Sequence, residues 1–420
     1  MAGLILSAPS SGAGKTTLTL GLLRALRRAG QPVRSAKSGP DYIDPQFHAA
    51  ATGAPCVNLD AWAMPPKRLR HLAAGPDPLI IEGAMGLFDG APPDGKGSTA
   101  DLARTLGLPV VLIVDAKAMS QSVAALVAGF AGHDPAVRIA GVILNRTGSA
   151  RHVAMLTRAL APLGLPVLGA VPRSAALARP SRHLGLVQAG EMPDLDAFLD
   201  RAAEVIAAHV DLSQLRALMG PLPQATPPPS PTAHPPRRIA VARDAAFSFL
   251  YPHHLADWTA QGAEVAFFSP LADDLVPQAD EIFLPGGYPE LHAARLASSH
   301  TFMQSLKNAA QTTGIYGECG GYMVLGETLI DAEGTRHPMA GLLGLTTSFA
   351  NRKLHLGYRH LRDRQTGTAH RGHEFHYATT LDAQGEALFE ATDAEGTPLA
   401  PMGLRAGRVR GSFAHIIHTP

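Results

Sequence analysis

Residues 4–17, LILSAPSSGAGKTT, constrain the fold of this chain more than any other stretch. The apolar run at residues 4–6 is typical of a buried strand in a parallel sheet, and the leucine-rich segment after Thr17 has helical spacing. Between them lies a glycine loop that ends in Lys-Thr-Thr. Free peptide N–H groups at such a helix start attract phosphate, a lysine reaches the outer phosphates, and a hydroxyl holds Mg²⁺. The stretch therefore predicts a site for nucleotide phosphates.

The loop departs from the usual phosphate-binding pattern, because Pro9 stands where that pattern has its first glycine. A glycine-rich turn without any ligand is the alternative interpretation. The strand before the loop and the helix after it favour phosphate binding. We expect the following loop residues to bind the phosphates of a nucleotide: Gly12, Gly14, Lys15, Thr16 and Thr17.

Length and composition limit the classes of protein that the chain can represent. Its 420 residues, at about 150 residues per domain, predict two or three domains. The formal net charge of +1 argues against a nucleic-acid partner recognised by bulk charge. No apolar run approaches the roughly 20 residues of a membrane helix, no secretory signal is visible, and the two cysteines lie far apart. We therefore expect a cytoplasmic protein that binds neither nucleic acid nor membrane.

Short apolar runs alternate with helical stretches in the first half, which is typical of a parallel sheet covered by helices. The predicted strands of this half are residues 4–6, 33–37, 79–81, 110–114, 139–144 and 167–171. Residues 220–238 are so rich in proline that they predict an extended spacer. The sequence thus predicts an α/β fold with two domains, 1–219 and 239–420. The second should hold further strands and helices, followed by a more β-rich tail.

Acidic residues follow two predicted strands of the first half. Asp41 and Asp44 lie in a Gly-Pro-rich stretch after the second strand, and Glu82 follows the third. Because the carboxyl ends of parallel strands meet at one edge of a sheet, these carboxylates should lie beside Lys15. Carboxylate oxygens next to phosphates are the ligands that Mg²⁺ prefers. Ordinary turn formation is the alternative role of the two aspartates.

A candidate nucleophile occurs in the second half, in the sequence Gly-Glu-Cys-Gly-Gly around Cys319. The motif follows a predicted strand and precedes a predicted helix, as in a nucleophile elbow with a thiol. We expect the helix N-terminus to lower the pKa of this thiol. The glycine turn with Gly286 and Gly287, together with Gly320, could supply N–H groups to an oxyanion. Among the 19 histidines we choose His415 as the base.

With these motifs in place, the first domain resembles the dethiobiotin-synthetase type of phosphate-loop ATPase, and the second resembles a class I glutamine amidotransferase. The order of the domains and the segments 39–45, 82–90 and 371–377 resemble the a,c-diamide synthases of cobyrinic or hydrogenobyrinic acid. The resemblance spans nearly the whole chain outside the proline-rich stretch. It implies that ATP phosphorylates the a and c carboxylates of a corrin ring. Ammonia released from glutamine would then form the amides.

The resemblance also implies roles for individual residues. Three residues would hold Mg²⁺: Thr16, Asp41 and Glu82. Three would lie near the corrinoid: Tyr42, Asp44 and Asp89. Asn145, which by position alone could equally cap a helix, would contact the adenine. The expected partners are ATP, glutamine and the corrinoid, and a homodimer is a further expectation.

One position departs from the wider class I pattern, which places a glutamate two residues after the catalytic histidine. In this chain that position is Ile417. The sequence therefore predicts a Cys–His dyad without a carboxylate. It also predicts slow glutamine cleavage unless the synthetase half is loaded, because nothing orients and charges the histidine.

Other interpretations stay open. A partition-type switch ATPase with a regulatory domain would share the phosphate loop, although a binding module has no use for an activated thiol. A cobyric acid synthase, or an amidase of sirohydrochlorin, would share the whole architecture. The segment 41–44 favours the a,c-diamide interpretation. No residue distinguishes a ring with cobalt from one without, and only general likeness favours hydrogenobyrinate.

Overall fold

The computed structural model of the chain describes residues 2–174, 177, 188–224 and 238–420. The chain divides into two compact units, Met1–Pro228 and Pro229–Pro420, called the first unit and the second unit below. Most of the predicted spacer, residues 225–237, lies outside the described residues. At its two ends, Gly220–Pro221 forms a short strand in the first unit and Arg238 begins a strand in the second. The boundaries of the spacer stay a prediction.

Strands and helices alternate along the first unit. Its described strands are β1 (Ala2–Ser7), β2 (Arg34–Ser38), β3 (Val57–Leu59), β4 (Leu79–Glu82), β5 (Val110–Asp115), β6 (Ile139–Thr147), β7 (Val167–Pro172) and β8 (Gly220–Pro221). Its described α-helices are α1 (Lys15–Arg28), α2 (Ile43–Thr52), α3 (Pro66–Ala73), α4 (Thr99–Leu106), α5 (Ser122–His133), α6 (Ala150–Leu160), α7 (Leu195–His209) and α8 (Leu212–Ala217).

Seven strands of the first unit form a parallel sheet in the order β3-β2-β4-β1-β5-β6-β7, and β8 pairs antiparallel with β1. All six predicted strands are present, which confirms the predicted architecture of this half. Every residue of β4 is buried, as expected for a strand covered on both faces by helices. The strand β3 was not predicted, because its three residues include a central asparagine and form no apolar run.

The register of this sheet places the candidate residues side by side. Glu82, the last residue of β4, pairs with Leu6 of β1 on one side and with Lys37 of β2 on the other. The loops that follow these three parallel strands therefore leave the sheet at the same edge. That edge forms the candidate site of the first unit.

The second unit contains many more strands than helices. Its described strands are β9 (Arg238–Ala242), β10 (Glu264–Phe268), β11 (Glu281–Leu284), β12 (Gly314–Glu318), β13 (Thr328–Ile330), β14 (Arg336–Pro338), β15 (Gly344–Ser348), β16 (His355–Asp363), β17 (Ala369–His376), β18 (Thr379–Gln384), β19 (Glu386–Thr392), β20 (Met402–Ala406), β21 (Val409–Ser412) and β22 (His415–His418). Its described α-helices are α9 (Pro252–Ala260), α10 (Ala293–Ser298), α11 (His300–Ala309) and α12 (Gly320–Leu325).

Ten of these strands form one mixed sheet in the order β10-β9-β11-β12-β21-β20-β19-β16-β17-β22. Neighbours from β10 to β21 are parallel, and those from β21 to β22 are antiparallel. A smaller sheet has the order β14-β13-β15-β18. Phe247, Phe302 and Leu325 are fully buried in the core of this unit. The α/β fold with a β-rich tail is thus confirmed. Within the described residues, no helix combines the length and hydropathy needed to cross a bilayer.

Candidate active sites

The glycine loop of the first unit connects β1 to α1. Gly12 and Gly14 have φ angles of 80° and 90°, in the left-handed region that favours glycine. A Cβ atom on Gly14 would also overlap with Nδ2 of Asn145. This Nδ2 donates a hydrogen bond to the carbonyl oxygen of Ala13 at 2.8 Å. Asn145 therefore supports the loop directly, while its contact with an adenine stays a prediction.

Lys15 is the first residue of α1 and is only 7% exposed. Its Nζ donates hydrogen bonds to the carbonyl oxygens of Met85 and Ser10, the second at 3.4 Å. Burial lowers the pKa of Lys15 from its usual value. A phosphate oxygen is a stronger acceptor for an ammonium group than a carbonyl. When a phosphate binds, the ammonium group of Lys15 can therefore leave these carbonyl oxygens and donate to a phosphate oxygen.

Thr16, the next residue of α1, lies against two carboxylates and a lysine. Its Oγ1 donates to Glu82 Oε1 at 2.6 Å and to Asp44 Oδ2 at 3.2 Å. The Nζ of Lys37 lies 2.7 Å from the same two carboxylate oxygens. Burial acts to lower the pKa of Lys37, but the carboxylates of Asp44 and Glu82 raise it above its usual value. The lysine is therefore held as a cation inside the cluster.

Asp41 takes a different position from the one that the resemblance implied. Its Oδ1 accepts the backbone N–H groups of Ile43 at 2.7 Å and Asp44 at 3.2 Å, at the start of α2. Its Oδ2 lies 3.8 Å from Lys37 Nζ. In this structure Asp44, expected near the corrinoid, contacts Thr16, whereas Asp41, expected to hold Mg²⁺, is engaged with the backbone.

The oxygens of Thr16, Asp44 and Glu82 fit a magnesium ion, because Mg²⁺ prefers hard oxygen ligands. In the described part of the chain, no group of three or more His, Cys, Asp or Glu side chains could hold a metal by itself. Mg²⁺ bound beside a nucleotide does not need such a group, since phosphate and water supply most of its ligands. The donor set is therefore compatible with an ion that arrives together with a nucleotide.

A buried histidine behind Glu82 was not predicted from the sequence. The Nε2 atom of His48 lies 2.6 Å from Glu82 Oε2, and its Nδ1 lies 3.5 Å from the sulfur of Cys56. All three side chains are inaccessible or nearly so. The sequence feature that could have indicated this contact is the position of His48 on α2, one helical turn after Asp44 and therefore on the same face. The contact fixes the orientation of the Glu82 carboxylate.

The remaining residues expected near the corrinoid are Tyr42 and Asp89. Tyr42 stands immediately before α2 and is 9% exposed. Asp89 Oδ2 accepts the backbone N–H of Gly86 at 2.8 Å. A Cβ atom on Gly86 would lie 2.6 Å from the carbonyl oxygen of Pro9, so this segment packs against the glycine loop. The structure brings Asp89 close to the phosphate site, and the contacts of both residues with a corrinoid stay predictions.

In the second unit, Cys319 lies at the sharp turn between β12 and α12. Its φ is 47°, an unusual value for a residue other than glycine, and it is 3% exposed. A Cβ atom on Gly321 would overlap with the carbonyl oxygen of Leu284, so the backbone at the end of β11 passes very close to this turn. The predicted strand–turn–helix arrangement is confirmed. The catalytic role of the thiol stays a prediction.

Gly286 lies against both Cys319 and His415. A Cβ atom on Gly286 would overlap with Cε1 of His415 and would lie 3.2 Å from both His415 Nε2 and Cys319 Cβ. Similarly, a Cβ atom on Gly320 would lie 3.1 Å from the backbone nitrogen of Gly287. The structure therefore brings together all five residues predicted for this site. Backbone N–H groups beside a thiol can stabilise an oxyanion.

The protonation states of the two candidate catalytic groups are set mainly by burial. Burial, followed by the charge of Glu290, raises the pKa of Cys319, so the expected lowering by the helix N-terminus is wrong for this state. Burial lowers the pKa of His415 to about 3. The resting site thus holds a neutral thiol and a neutral imidazole. A neutral imidazole is the form that can accept a proton from the thiol.

A carboxylate lies beside His415, although none was predicted. Oε2 of Glu318, the last residue of β12, is 3.6 Å from His415 Nδ1. Its Oε1 accepts the backbone N–H of Ile416 at 3.0 Å. Burial raises the pKa of Glu318 to about 7. The class I pattern does not indicate this residue, because it expects the carboxylate at the position of Ile417. Glu318 lies on β12, which is far from His415 in the sequence but close to it in the fold.

Comparisons with known proteins match both units. A family model described as a CobB/CobQ-like glutamine amidotransferase domain matches residues 238–420. Another, described as a CobQ/CobB/MinD/ParA nucleotide binding domain, matches residues 4–187. Among solved structures, a glutamine amidotransferase covers 42% of this chain and 89% of its own at 16% identity, with a TM-score of 0.32.

Curated relatives named hydrogenobyrinate a,c-diamide synthase match nearly the full length. The relative from Brucella anthropi is 52% identical, over 99% of this chain and 98% of its own. Those from Rhodobacter capsulatus and Rhizobium meliloti are each 53% identical over 99% of this chain, covering 98% and 99% of their own lengths. The switch-ATPase and cobyric acid synthase interpretations are not retained. The chain therefore belongs to the hydrogenobyrinate a,c-diamide synthase family, in which a nucleotide binding domain is joined to a glutamine amidotransferase domain.

Proposed function

We propose that this chain uses ATP and glutamine to convert the a and c carboxylates of hydrogenobyrinate into amides, a step in cobalamin biosynthesis. The observation that carries the proposal is the identity of 52–53% with named hydrogenobyrinate a,c-diamide synthases over both units. The two candidate sites support it, since one has the parts of a phosphate site and the other those of a glutaminase.

In the second unit, His415 accepts the thiol proton and the sulfur of Cys319 attacks the side-chain amide carbon of glutamine. The imidazolium gives this proton to the leaving nitrogen, so ammonia departs and a thioester forms. Water then hydrolyses the thioester to glutamate and restores the thiol. The oxyanion of each tetrahedral intermediate is stabilised by N–H groups at Gly287 and Gly320, whose backbones lie together at the elbow. Gly286 leaves room for the imidazole beside the sulfur.

In the first unit, the glycine loop and Lys15 bind the ATP phosphates. Thr16 and Glu82, with Asp44 or Asp41, would hold Mg²⁺, which when bound offsets the negative charge of the phosphates. A corrin carboxylate attacks the terminal phosphoryl group to give an acyl phosphate and ADP. Ammonia then displaces phosphate, so each amide costs one ATP.

Replacing Asp44 by asparagine is expected to raise the Mg²⁺ concentration needed for half-maximal ATP hydrolysis by roughly tenfold or more. The reason is that Asp44, which contacts Thr16, loses a charged ligand oxygen. The matched control is Asp41→Asn, because Asp41 Oδ1 is engaged with the start of α2. A larger effect of Asp41→Asn, measured by magnesium titration, would return the metal role to Asp41.

Replacing Gly286 by alanine is expected to lower the kcat of glutamine-dependent amidation roughly 100-fold, because the new methyl group displaces the His415 ring. Amidation with ammonium chloride should stay close to its original rate. Gly129→Ala, in open space on α5, is the control. An unchanged glutamine-dependent rate in Gly286→Ala would show that glutamine cleavage does not require the His415 ring to lie against Gly286.

The choice of the cobalt-free ring is tested by comparing hydrogenobyrinate with cobyrinate as substrates in the same assay. We expect the higher kcat/KM for hydrogenobyrinate, in line with the named function of the relatives. A higher kcat/KM for cobyrinate would overturn this part of the proposal and leave the amidation chemistry in place.

A further inference from the structure

A histidine that accepts a proton at one ring nitrogen needs an acceptor at the other, which fixes the tautomer and stabilises the imidazolium. In this site Nε2 of His415 lies on the side of Gly286 and Cys319. The carboxylate of Glu318 lies 3.6 Å from the other ring nitrogen, Nδ1. The chain therefore places an acidic group at the position where the imidazole requires one.

We propose that Glu318 is the positioning carboxylate of the glutaminase site, accepting the Nδ1–H of His415 through its Oε2 atom. It takes the role of the glutamate that other class I enzymes place two residues after the histidine, where this chain has Ile417. The inference rests on the glutaminase half of the proposed function and not on the identity of the acceptor.

The backbone ties this carboxylate to the histidine strand. Oε1 of Glu318 accepts the N–H of Ile416, the residue after His415, at 3.0 Å, and Oε2 lies on the side of the His415 ring. The side chains of Glu318 and His415 are 3% and 2% exposed. In such a dry environment one nearby charge has a large effect. The separation of 3.6 Å is longer than a hydrogen bond, and catalytic hydrogen bonds often shorten when substrate binds.

A second carboxylate near the imidazole, Glu374, is a weaker candidate. Its charge acts to raise the pKa of His415, but its Oε2 lies 2.7 Å from Arg359 Nε and its Oε1 lies 3.4 Å from His376 Nε2, so both oxygens face other groups. Among the described residues, six titratable groups face His415 or Glu318: Cys319, Tyr316, His254, His373, Glu374 and His376. All of them are retained when Glu318 alone is changed.

Glu318→Gln is the sharpest test, because it keeps an oxygen for Ile416 N–H and replaces the other oxygen by an NH₂ group. That group donates to Nδ1, so the ring proton of the neutral imidazole stays on Nε2. Nε2 can then no longer accept the thiol proton of Cys319. The kcat for glutamine-dependent amidation should fall about 10³-fold or more with little change in the KM for glutamine, as expected when a histidine is locked in the wrong tautomer. Amidation with ammonium chloride should be unchanged.

A second readout needs no corrinoid and no ATP, so it separates this inference from the proposed function. Alkylation of Cys319 by iodoacetamide is followed against pH by peptide mass spectrometry, which distinguishes it from Cys56. The charge of Glu318 raises the pKa of the adjacent Cys319 directly, so a Glu318 that acted on the thiol alone would give a lower midpoint of alkylation in Glu318→Gln. An ionised Glu318 that stabilises the imidazolium favours the imidazolium–thiolate pair instead, and its loss should move the midpoint upward by about one pH unit or more. Glu281→Gln is the control, since Glu281 is paired with Arg410 on the same sheet.

An upward midpoint in Glu318→Gln, unchanged in Glu281→Gln, supports the positioning role. An unchanged or a lower midpoint overturns it. Equal losses of glutamine-dependent and ammonia-dependent rates, with a lower melting temperature, would likewise overturn it and make Glu318 a structural residue. If no corrinoid is amidated by the unmodified protein but the midpoint still shifts upward, the acceptor is wrong and the role of Glu318 stands.

Discussion

Replacing Cys319 by serine is expected to abolish amidation with glutamine and to leave amidation with ammonium chloride near its original rate. The loss should be about 10³-fold or more, the scale seen when a catalytic nucleophile is removed. A serine hydroxyl at the elbow would have a much higher pKa than a thiol, and His415, whose own pKa is lowered to about 3, is a weak base for it. Free ammonia bypasses this step because it needs only the acyl phosphate. The measurement is amide formation by mass spectrometry with each nitrogen source.

The matched control for this prediction is Cys56→Ser, the same substitution at the other buried cysteine. Cys56 lies beside His48 in the first unit, so any effect should change both rates together and leave their ratio unchanged. If Cys319→Ser also lowers both rates by one common factor, Cys319 is a structural residue and the nucleophile lies elsewhere.

Replacing Lys15 by alanine is expected to remove amidation with both nitrogen sources, by at least about 100-fold. Its ammonium group supplies charge to the outer phosphates, where charge develops during phosphoryl transfer. Iodoacetamide labelling of Cys319 should be unaffected, because the glutaminase residues lie in the second unit. The measurement is ADP release with hydrogenobyrinate and ammonium chloride, followed by the labelling assay on the same preparation.

Lys67→Ala, at an exposed position of α3, is the control for the loss of one lysine from the first unit. It should leave ADP release unchanged. Full ADP release in Lys15→Ala would contradict the assignment of the glycine loop as the phosphate site.

The architecture could be predicted because its signals are local. Each central strand of the first unit is a short apolar run, as in β5, whose first five residues are all buried. The turn at Cys319 could be predicted because closely approaching backbones demand the glycines around it. The phosphate loop was visible for the same reason, since Gly12 and Gly14 both have positive φ.

The features that could not be predicted depend on contacts between distant parts of the chain. Glu318 meets the strand of His415 across 98 residues, measured to Ile416, and no sequence spacing records that approach. The choice between Asp41 and Asp44 depends on which carboxylate turns toward Thr16 and which caps α2, and both residue types suit both roles. The direction in which the pKa of Cys319 is shifted depends on burial, which raises this pKa and opposes the effect of the helix N-terminus.

The most direct test of the proposed function is the mass of the product formed from hydrogenobyrinate by the intact chain with ATP, Mg²⁺ and glutamine, measured together with ADP. We expect exchange of a hydroxyl for an amino group at two carboxylates, one ADP per amide, and no product when ATP is left out. ATP hydrolysis without amide formation, or amidation of more than two carboxylates, would contradict it.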